Sequence, residues 1–307
     1  MTTRSIAAAL AAFLGLGLGC DRGRAPEAGG GGEPVDALLE VYEYDPEAPL
    51  PFRFADAGRE ENAARFSFRT WERETVDGLF ALPAPERGSA PHPTVVYFHR
   101  LAEDESAALA LRDALAPLGV GVLSVRSPVK RLAAAGGEGA REKRRESFRN
   151  RRMAVLEARS ALDAIVARGL ADPRRVAAVG ASAGGGPAVV FGAVEARCRA
   201  VAALSTGADD FARAIPDRAA KIDEEARRTV ASVDPLVFAP LVSPRPLLVV
   251  RGEADEQVTL ASARALLDAA REPKRFLSIP GEPHRLPLAA VAPALVEFLG
   301  PPLGPAR

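Results

Sequence analysis

The chain has 307 residues, of which 48% are hydrophobic and 26% are charged. This is the make-up of a globular protein with a substantial core, and it excludes a disordered or collagen-like chain. Its 40 basic residues balance its 40 acidic ones, so no overall positive charge attracts nucleic acid and we expect no nucleic-acid partner. The only two cysteines are Cys20 and Cys198, too few for the disulfide framework of a small secreted domain.

The first 19 residues are predicted to be an export signal. Arg4 supplies a positive charge, residues 5–19 form an uncharged apolar run, and Cys20 follows directly. Such a run is shorter than the roughly 20 residues that a spanning helix needs. Small residues before a cysteine resemble the lipobox of bacterial lipoproteins, whose cysteine is lipidated and begins the mature chain. The resemblance implies an exported, membrane-anchored lipoprotein of the bacterial cell envelope. The alternative is a cleaved, soluble secreted or periplasmic protein.

The segment after the cysteine is predicted to be a flexible tether. Residues 21–34 include four consecutive glycines and no aliphatic residue larger than alanine, so they cannot form a packed core. We therefore expect the lipidated Cys20 and its tether to occupy residues 20–34 and one folded domain to span residues 35–307. The membrane would then be reached through the lipid anchor alone.

Within the domain, strand patterns alternate with helical ones. Residues 65–69 alternate polar and apolar side chains, and together with residues 78–83 they predict an antiparallel hairpin at the sheet edge. Continuous apolar runs predict parallel strands buried on both faces; they lie at residues 94–98, 120–125, 176–179, 201–204 and 247–250. Another short strand is predicted at residues 275–279. Helices are predicted at residues 153–170, 185–194 and 288–298. The sequence therefore predicts an α/β fold with a mostly parallel central sheet and helices on both faces.

One motif contains a candidate catalytic residue. Residues 180–184 read Gly-Ala-Ser-Ala-Gly and lie between a predicted strand and a small-residue stretch that can begin a helix. This is the context of a nucleophile elbow, in which Ser182 would occupy a tight, strained turn. Side chains two positions before and after the serine would collide with neighbouring backbone, which favours glycine at both places.

The sequence resembles the α/β-hydrolase family, in particular its dienelactone-hydrolase-like and acyl-esterase-like members, over roughly residues 64–299. Residues 252–258 read Gly-Glu-Ala-Asp-Glu-Gln-Val and match the family pattern G-x-x-D-x-x-V. Ser182, Asp255 and His284 follow one another in the order that this fold uses. The resemblance implies that Ser182 is the nucleophile, His284 its general base, and Asp255 the acid that orients the histidine.

The resemblance also implies two backbone donors for the oxyanion. One is the N–H of Ala183, directly after the nucleophile. The second comes from the loop after the third strand, usually His-Gly in the family; here residues 98–101 read Phe-His-Arg-Leu, so Leu101 is the expected donor and Arg100 the alternative. The Arg100 side chain is expected either to point outward into solvent or to hold an anionic substrate at the mouth of the site.

Several other residues are candidates for a catalytic, metal-binding or structural role. Asp209 and Asp210 follow a predicted strand and are rival candidates for the acid. His92 lies between two prolines and is expected in a loop, whereas His99 is expected to have a structural role beside the oxyanion donors. Neither histidine has a cysteine or carboxylate at ligand spacing, so we expect no metal and no cofactor. Cys198 is expected to be a passive thiol close to the sheet.

Two insertions in the predicted fold have undefined roles. The first, about residues 129–152, is rich in arginine and lysine and would either steer anionic substrates, touch anionic lipid headgroups, or form a solvated face. The second, about residues 208–233, falls where this fold often places a lid over the site.

The motifs together predict a serine hydrolase that cleaves small-molecule carboxylic esters through an acyl-enzyme intermediate. Two alternatives stay open. The same triad would serve a peptidase or amidase, and the irregular oxyanion loop would suit a catalytically silent lipoprotein that binds a small molecule or partner. The order of Ser182, Asp255 and His284 favours an enzyme, since a silent copy has no chemical need to keep all three.

Overall fold

The structure is a computed structural model that describes residues 35–45, 50–56, 62–72, 74–100, 103–104, 106–125, 140–208 and 224–304. The predictions for the export signal, Cys20, the tether, Leu101, Asp209 and Asp210 lie outside the described residues. So does the first part of the basic insertion, up to residue 139.

Nine strands of the described chain form one sheet in the order β1-β2-β3-β5-β4-β6-β7-β8-β9. The strands are β1 Arg53–Asp56, β2 Ala63–Arg69, β3 Thr75–Ala81, β4 His92–Phe98, β5 Gly121–Val125, β6 Ala171–Ala181, β7 Cys198–Leu204, β8 Leu247–Gly252 and β9 Lys274–Ile279.

The sheet is antiparallel at one side and parallel at the other. Strands β1, β2, β3 and β5 pair antiparallel, and all pairings from β5 through β4 to β9 are parallel. The predicted hairpin is β2 with β3, in which Phe66 pairs with Gly78. It does not lie at the sheet edge as predicted, because β1 continues the sheet beyond it. Packing of Phe52, just before β1, on Phe68 at a ring distance of 4.3 Å holds this short strand in place.

Helices cover both faces of the sheet. Their bounds are α1 Val35–Glu40, α2 Ala107–Ala114, α3 Ala140–Ala167, α4 Gly185–Val194, α5 Glu224–Ala231, α6 Pro235–Val242, α7 Leu260–Ala269 and α8 Leu288–Leu303. Buried side chains of α3, α4, α6 and α7 form one core with the sheet, and those of α2 and α8 form a second core on the opposite face.

The central strands supply both cores at once. In β6, Val176 and Ala178 face the first core, and Ala177 and Val179 face the second. Strands buried on both faces have no polar side to show, which is why their sequences read as continuous apolar runs. The predicted α/β architecture is confirmed.

Two further local predictions were wrong. Helix α3 begins at Ala140, well before the predicted start at residue 153, so the end of the basic insertion is helical. Apolar periodicity missed this part because its sequence is rich in charged residues. His92 is not in a loop: it is the buried first residue of β4, and its N–H donates to the Leu170 carbonyl. Desolvation by burial, followed by the charge of Arg175, lowers its pKa.

One basic residue of the insertion, Arg149 in α3, has a partner in the rest of the domain. The Arg149 guanidinium donates twice to the Glu72 carboxylate in the β2–β3 turn. This contact holds a half-exposed arginine on the surface and fits the solvated interpretation of the insertion. No helix within the described ranges has the length and apolar character of a membrane span.

Candidate active site

Ser182 lies in a tight turn at the end of β6. Its backbone has φ of +52°, a left-handed conformation that a non-glycine residue adopts only where the surrounding structure enforces it. A single 3₁₀ turn, Ser182–Gly184, connects the strand to α4. The serine side chain is thereby held at the carboxyl edge of the parallel strands.

The two glycines of the motif make this turn possible. A Cβ on Gly180 would lie 2.2 Å from the carbonyl oxygen of Gly184, and a Cβ on Gly184 would lie 2.2 Å from the carbonyl oxygen of Phe98. Backbone atoms cannot yield to such contacts as the end of a flexible side chain can. The second glycine therefore also brings the elbow against the loop that follows β4.

The loops after β8 and β9 bring the other two predicted residues to the serine. The Ser182 Oγ lies 2.8 Å from His284 Nε2, and His284 Nδ1 lies 3.0 Å from each carboxylate oxygen of Asp255. The Asp255 side chain is fully buried, whereas that of His284 is 16% exposed. The geometry is that of a serine whose hydroxyl proton can pass to an imidazole held by a carboxylate.

Backbone contacts fix the acid loop. Asp255 Oδ1 accepts hydrogen bonds from the N–H groups of Gln257 and Val258, at 2.9 and 2.8 Å. Buried Arg251 donates from Nη2 to the Asp255 carbonyl at 3.1 Å. A Cβ on Gly252 would lie 2.0 Å from the Glu282 carbonyl oxygen, so this glycine lets the acid loop pack directly on the histidine loop.

The structure locates only part of the expected oxyanion site. Ala183 follows Ser182 in the turn that leads into α4, the position where the first donor is expected. The N–H of Arg100, the alternative second donor, donates instead to Glu103 Oε2 at 3.1 Å. Leu101, the expected second donor, lies outside the described residues, and its role stays a prediction.

The outward, solvated orientation expected for the Arg100 side chain is wrong. The side chain is only 13% exposed, so it does not point outward into solvent. Its Nη2 donates to the Leu286 carbonyl at 2.9 Å, and its Nη1 lies 3.8 Å from Glu103 Oε1, so it is engaged by protein groups beside the histidine loop. The role of Glu103 could not be predicted from the sequence, because a separation of three residues does not tell where two loop side chains point.

His99 and Cys198 have the surroundings of structural residues. His99 is buried, and its Nε2 is hydrogen-bonded to the Ser124 Oγ of β5. Cys198 is the buried first residue of β7, and burial raises the pKa of its thiol to about 12, which leaves the thiol unreactive. In the described part of the chain, no group of three or more histidines, cysteines and carboxylates is placed to hold a metal ion.

Solved structures share this architecture. The structure is similar to acetyl xylan esterase 1 from Thermoanaerobacterium sp. JW/SL YS485, with 15% identity, a TM-score of 0.65, and coverage of 86% of this chain and 92% of that chain. It is also similar to a glucuronoyl esterase from Solibacter usitatus, with 13% identity, a TM-score of 0.61, and coverage of 89% and 92%. The chain has the α/β-hydrolase fold.

Two further comparisons concern peptidases. A Mycobacterium tuberculosis puromycin-hydrolyzing peptidase matches with 20% identity, a TM-score of 0.58, and coverage of 83% of this chain and 40% of that chain. The model of the prolyl oligopeptidase family matches residues 153–291, a segment that contains Ser182, Asp255 and His284. No curated protein matches the sequence. The finer resemblance to dienelactone hydrolases and acyl esterases stays a prediction.

Proposed function

We propose that this chain is a serine hydrolase that cleaves carboxylic esters through an acyl-enzyme intermediate. The observation that carries the proposal is the continuous chain of contacts from Ser182 Oγ through His284 to the buried carboxylate of Asp255. A free serine hydroxyl is a weak nucleophile at neutral pH, and this arrangement is what activates it.

Each group has a defined role in the two half-reactions. His284 Nε2 takes the hydroxyl proton as Ser182 Oγ attacks the acyl carbon, and it then gives that proton to the leaving alcohol. Asp255 holds the imidazole in the tautomer with a proton on Nδ1 and stabilises the imidazolium that forms. In the second half-reaction His284 takes a proton from a water molecule as this water attacks the acyl carbon, and then returns that proton to Ser182 Oγ as the carboxylic acid product leaves.

The tetrahedral intermediate needs donors for its oxyanion, and we assign the backbone N–H groups of Ala183 and Leu101 to this role. The Ala183 assignment follows from its place directly after the nucleophile. The Leu101 assignment is supported by the engagement of the Arg100 N–H with Glu103, which leaves the next residue of the loop as the candidate.

A peptidase or amidase on the same triad is the second candidate. It is favoured by the match to the prolyl oligopeptidase family model and by the similarity to a puromycin-hydrolyzing peptidase. Similarity to an acetyl xylan esterase and a glucuronoyl esterase favours esters as the substrate class. Parallel assays with p-nitrophenyl acetate and aminoacyl p-nitroanilides separate the two candidates.

The deciding experiment is covalent labelling of Ser182 with a fluorophosphonate probe, together with ester hydrolysis. We expect labelling of the wild type, no labelling of Ser182→Ala, and a loss of about 10³-fold or more in the hydrolysis rate for Ser182→Ala and His284→Ala. Ser243→Ala, which changes a serine hydrogen-bonded to the Glu272 carbonyl, is the control and should keep full activity. Wild-type protein that neither reacts with the probe nor hydrolyses any ester or amide would make the silent binding protein the correct interpretation.

We also propose that the mature chain is lipidated on Cys20 and held at a membrane of the bacterial cell envelope. The support is the arrangement of Arg4, an uncharged apolar run and small residues before the cysteine. The catalytic domain would then reach the membrane through lipid and tether alone.

A further inference from the structure

The carboxylate of Glu103 closes the loop that follows β4. Its Oε2 accepts hydrogen bonds from the Tyr97 hydroxyl at 2.9 Å and from the Arg100 N–H at 3.1 Å. In return, the Glu103 N–H donates to the Arg100 carbonyl at 3.3 Å. The Glu103 side chain, which is 14% exposed, is therefore bonded both to the Tyr97 side chain and to the Arg100 backbone.

The Arg100 side chain connects this loop to the histidine loop. Its Nη2 donates to the Leu286 carbonyl at 2.9 Å, and the Leu286 N–H donates to the His284 carbonyl at 3.1 Å. Two hydrogen bonds thus link Arg100 to the backbone of the base. On its other side the guanidinium faces Glu103 Oε1 at 3.8 Å. This ion pair lies within the segment after β4, and the hydrogen bond from Arg100 to the Leu286 carbonyl connects that segment to the histidine loop.

The Arg100–Glu103 pair and its hydrogen bond to Leu286, which together we call the clamp, border an open cavity and do not lie in a hydrophobic core. Tyr97, Arg100, Glu103 and Leu286 line an open cavity of about 640 Å³, so removing one of these side chains enlarges a wet cleft and leaves no dry void. Arg285, 79% exposed, adds a second positive charge 4.0 Å from Glu103 Oε1. Loss of the clamp should therefore change loop geometry more than it changes the free energy of unfolding.

We propose that Arg100 and Glu103 are positioning residues for the hydrolysis assigned above. They tie the backbone just after β4 to the loop that carries His284, and so hold the base in its place beside Ser182. This inference rests on the proposed function. It also gives a reason for an arginine where the family resemblance implies glycine, since the side chain spans the gap between the two loops.

The expected kinetic signature is a fall in kcat at nearly constant KM. Arg100→Ala and Glu103→Ala should each lower kcat by about 10- to 100-fold, because His284 is displaced from its position beside Ser182 and not deleted. KM should stay within about threefold, since neither side chain is assigned a substrate contact. Glu103→Gln, which keeps an oxygen to accept from the Arg100 N–H, should recover most of the loss.

A double variant tests whether the two residues act as one unit. Arg100→Ala with Glu103→Ala should lose about as much activity as either single variant, because each change already breaks the clamp. The rate of Ser182 labelling by a fluorophosphonate probe should show the same pattern. Two independent losses that multiply would contradict a shared role.

Arg175 provides a matched control at the other end of the same strands. It pairs with the carboxylate three residues earlier, Asp172, at 2.9 Å, and donates from Nη2 to the Pro91 carbonyl at 3.2 Å. Arg175→Ala should lower the melting temperature about as much as Arg100→Ala and leave kcat unchanged.

The outcomes separate the two proposals. Wild-type kcat in Arg100→Ala, an effect on KM alone, or an equal loss of kcat in Arg175→Ala would each overturn the clamp while leaving the hydrolase intact. A wild-type chain with no hydrolysis and no probe labelling would overturn the proposed function, and the clamp with it. Should Arg100→Ala fail to fold, Glu103→Gln and Glu103→Ala carry the same comparison.

Discussion

At the residue scale, the Asp255 carboxylate serves several hydrogen-bond partners at once, so even a conservative substitution should disturb the site. Its Oδ1 accepts from two backbone N–H groups while both oxygens face His284 Nδ1. An asparagine keeps the shape but must turn an NH₂ group either toward those backbone donors or toward the imidazole.

We therefore expect Asp255→Asn to lower kcat by about 10³- to 10⁴-fold, because the imidazole is no longer held in the productive tautomer. Ester hydrolysis with purified variants measures this. Asp268→Asn, on the exposed face of α7, is the control. Asp210→Asn tests the rival acid, and a larger loss there than in Asp255→Asn would assign the acid to the loop after β7.

The glycines of the elbow give a second prediction at this scale. A Cβ on Gly184 would meet the Phe98 and His99 carbonyl oxygens, so Gly184→Ala must push the elbow away from the oxyanion loop. We expect a loss of at least about 100-fold in kcat and destabilisation of about 1–3 kcal/mol from overpacking. Probe labelling and urea unfolding measure the two effects.

Gly300→Ala is the control for this change. Gly300 lies in α8, and the nearest atom to a Cβ there is a Leu118 methyl at 3.6 Å. Alanine should raise helix stability by up to about 1 kcal/mol at this position with no effect on kcat. Equal behaviour of the two glycine variants would mean that the contact with the loop after β4 has no catalytic consequence.

At the scale of elements, Glu195 joins α3 to the turn after α4. Its carboxylate, 4% exposed, accepts from Arg197 Nε at 2.7 Å and from Arg159 Nε at 3.2 Å. Burial alone would raise the pKa of Glu195, but the hydrogen bonds and charge of Arg197, with the charge of Arg159, outweigh it and hold the pKa below its ordinary value.

A lowered pKa contributes stability above the pKa of the unfolded chain, and this stability is lost as pH falls through the folded value. Glu195→Gln should therefore be less stable than wild type by about 2–4 kcal/mol at pH 7, and the difference should shrink below pH of about 4. Urea unfolding across this range measures it. Glu297→Gln, in an exposed pair with Arg275, should change little at either pH.

For Asp234 we expect the free energy of unfolding to depend on pH in the opposite direction. Its Oδ1 caps α6 by accepting from the Leu236 N–H at 2.9 Å, while burial raises its pKa to about 7 against the opposing effects of that hydrogen bond and of Arg151. A carboxyl with a raised pKa costs the folded state stability as pH rises from the unfolded value of about 4 to the folded one.

Asp234→Asn keeps an oxygen for the cap and removes the titration. We expect the variant to match wild type near pH 4 and to exceed its stability by about 2–4 kcal/mol near pH 8. Denaturant titrations at several pH values provide the measurement. Stability profiles that run parallel for the two proteins would show that Asp234 does not titrate in this range.

How much of this was predictable differs between elements. The parallel strands were found because burial on both faces leaves continuous apolar runs, and the elbow because its glycines leave a spaced pattern. Strand β1 was missed because its four residues, Arg-Phe-Ala-Asp, are too few to show a period. The start of α3 was missed because a helix with a charged sequence lacks an apolar stripe.

The candidate site likewise combines residues that the sequence predicts with contacts that it does not predict. Ser182, Asp255 and His284 each follow a strand end, so topology alone brings them to one edge of the sheet. The contacts that surround them depend on loop conformation and leave no sequence period. His92 lay between two prolines and looked like a loop residue, yet it begins a buried strand because its N–H pairs with the Leu170 carbonyl.

At the scale of the whole molecule, the proposed lipid anchor is tested by Cys20→Ser. Two or more acyl chains bind a membrane stably whereas one binds marginally, so the wild type should fractionate almost wholly with membranes. The serine variant should either release a soluble domain or remain an unprocessed precursor. Its domain from residue 35 onward should keep full reactivity at Ser182. Membrane partitioning and mature size that survive the substitution would show that Cys20 is not the anchor.

The order of the last four strands has one more consequence. Strands β6, β7, β8 and β9 are neighbours in the sheet in the same order as in the chain, and Ser182 meets His284 across a separation of 102 residues. The nucleophile therefore gains its base only when β9 has docked on β8. During refolding from denaturant, the return of probe labelling should lag behind the return of secondary structure. The rate at which Ser182 regains its reactivity with the probe therefore reports the rate at which the sheet is completed.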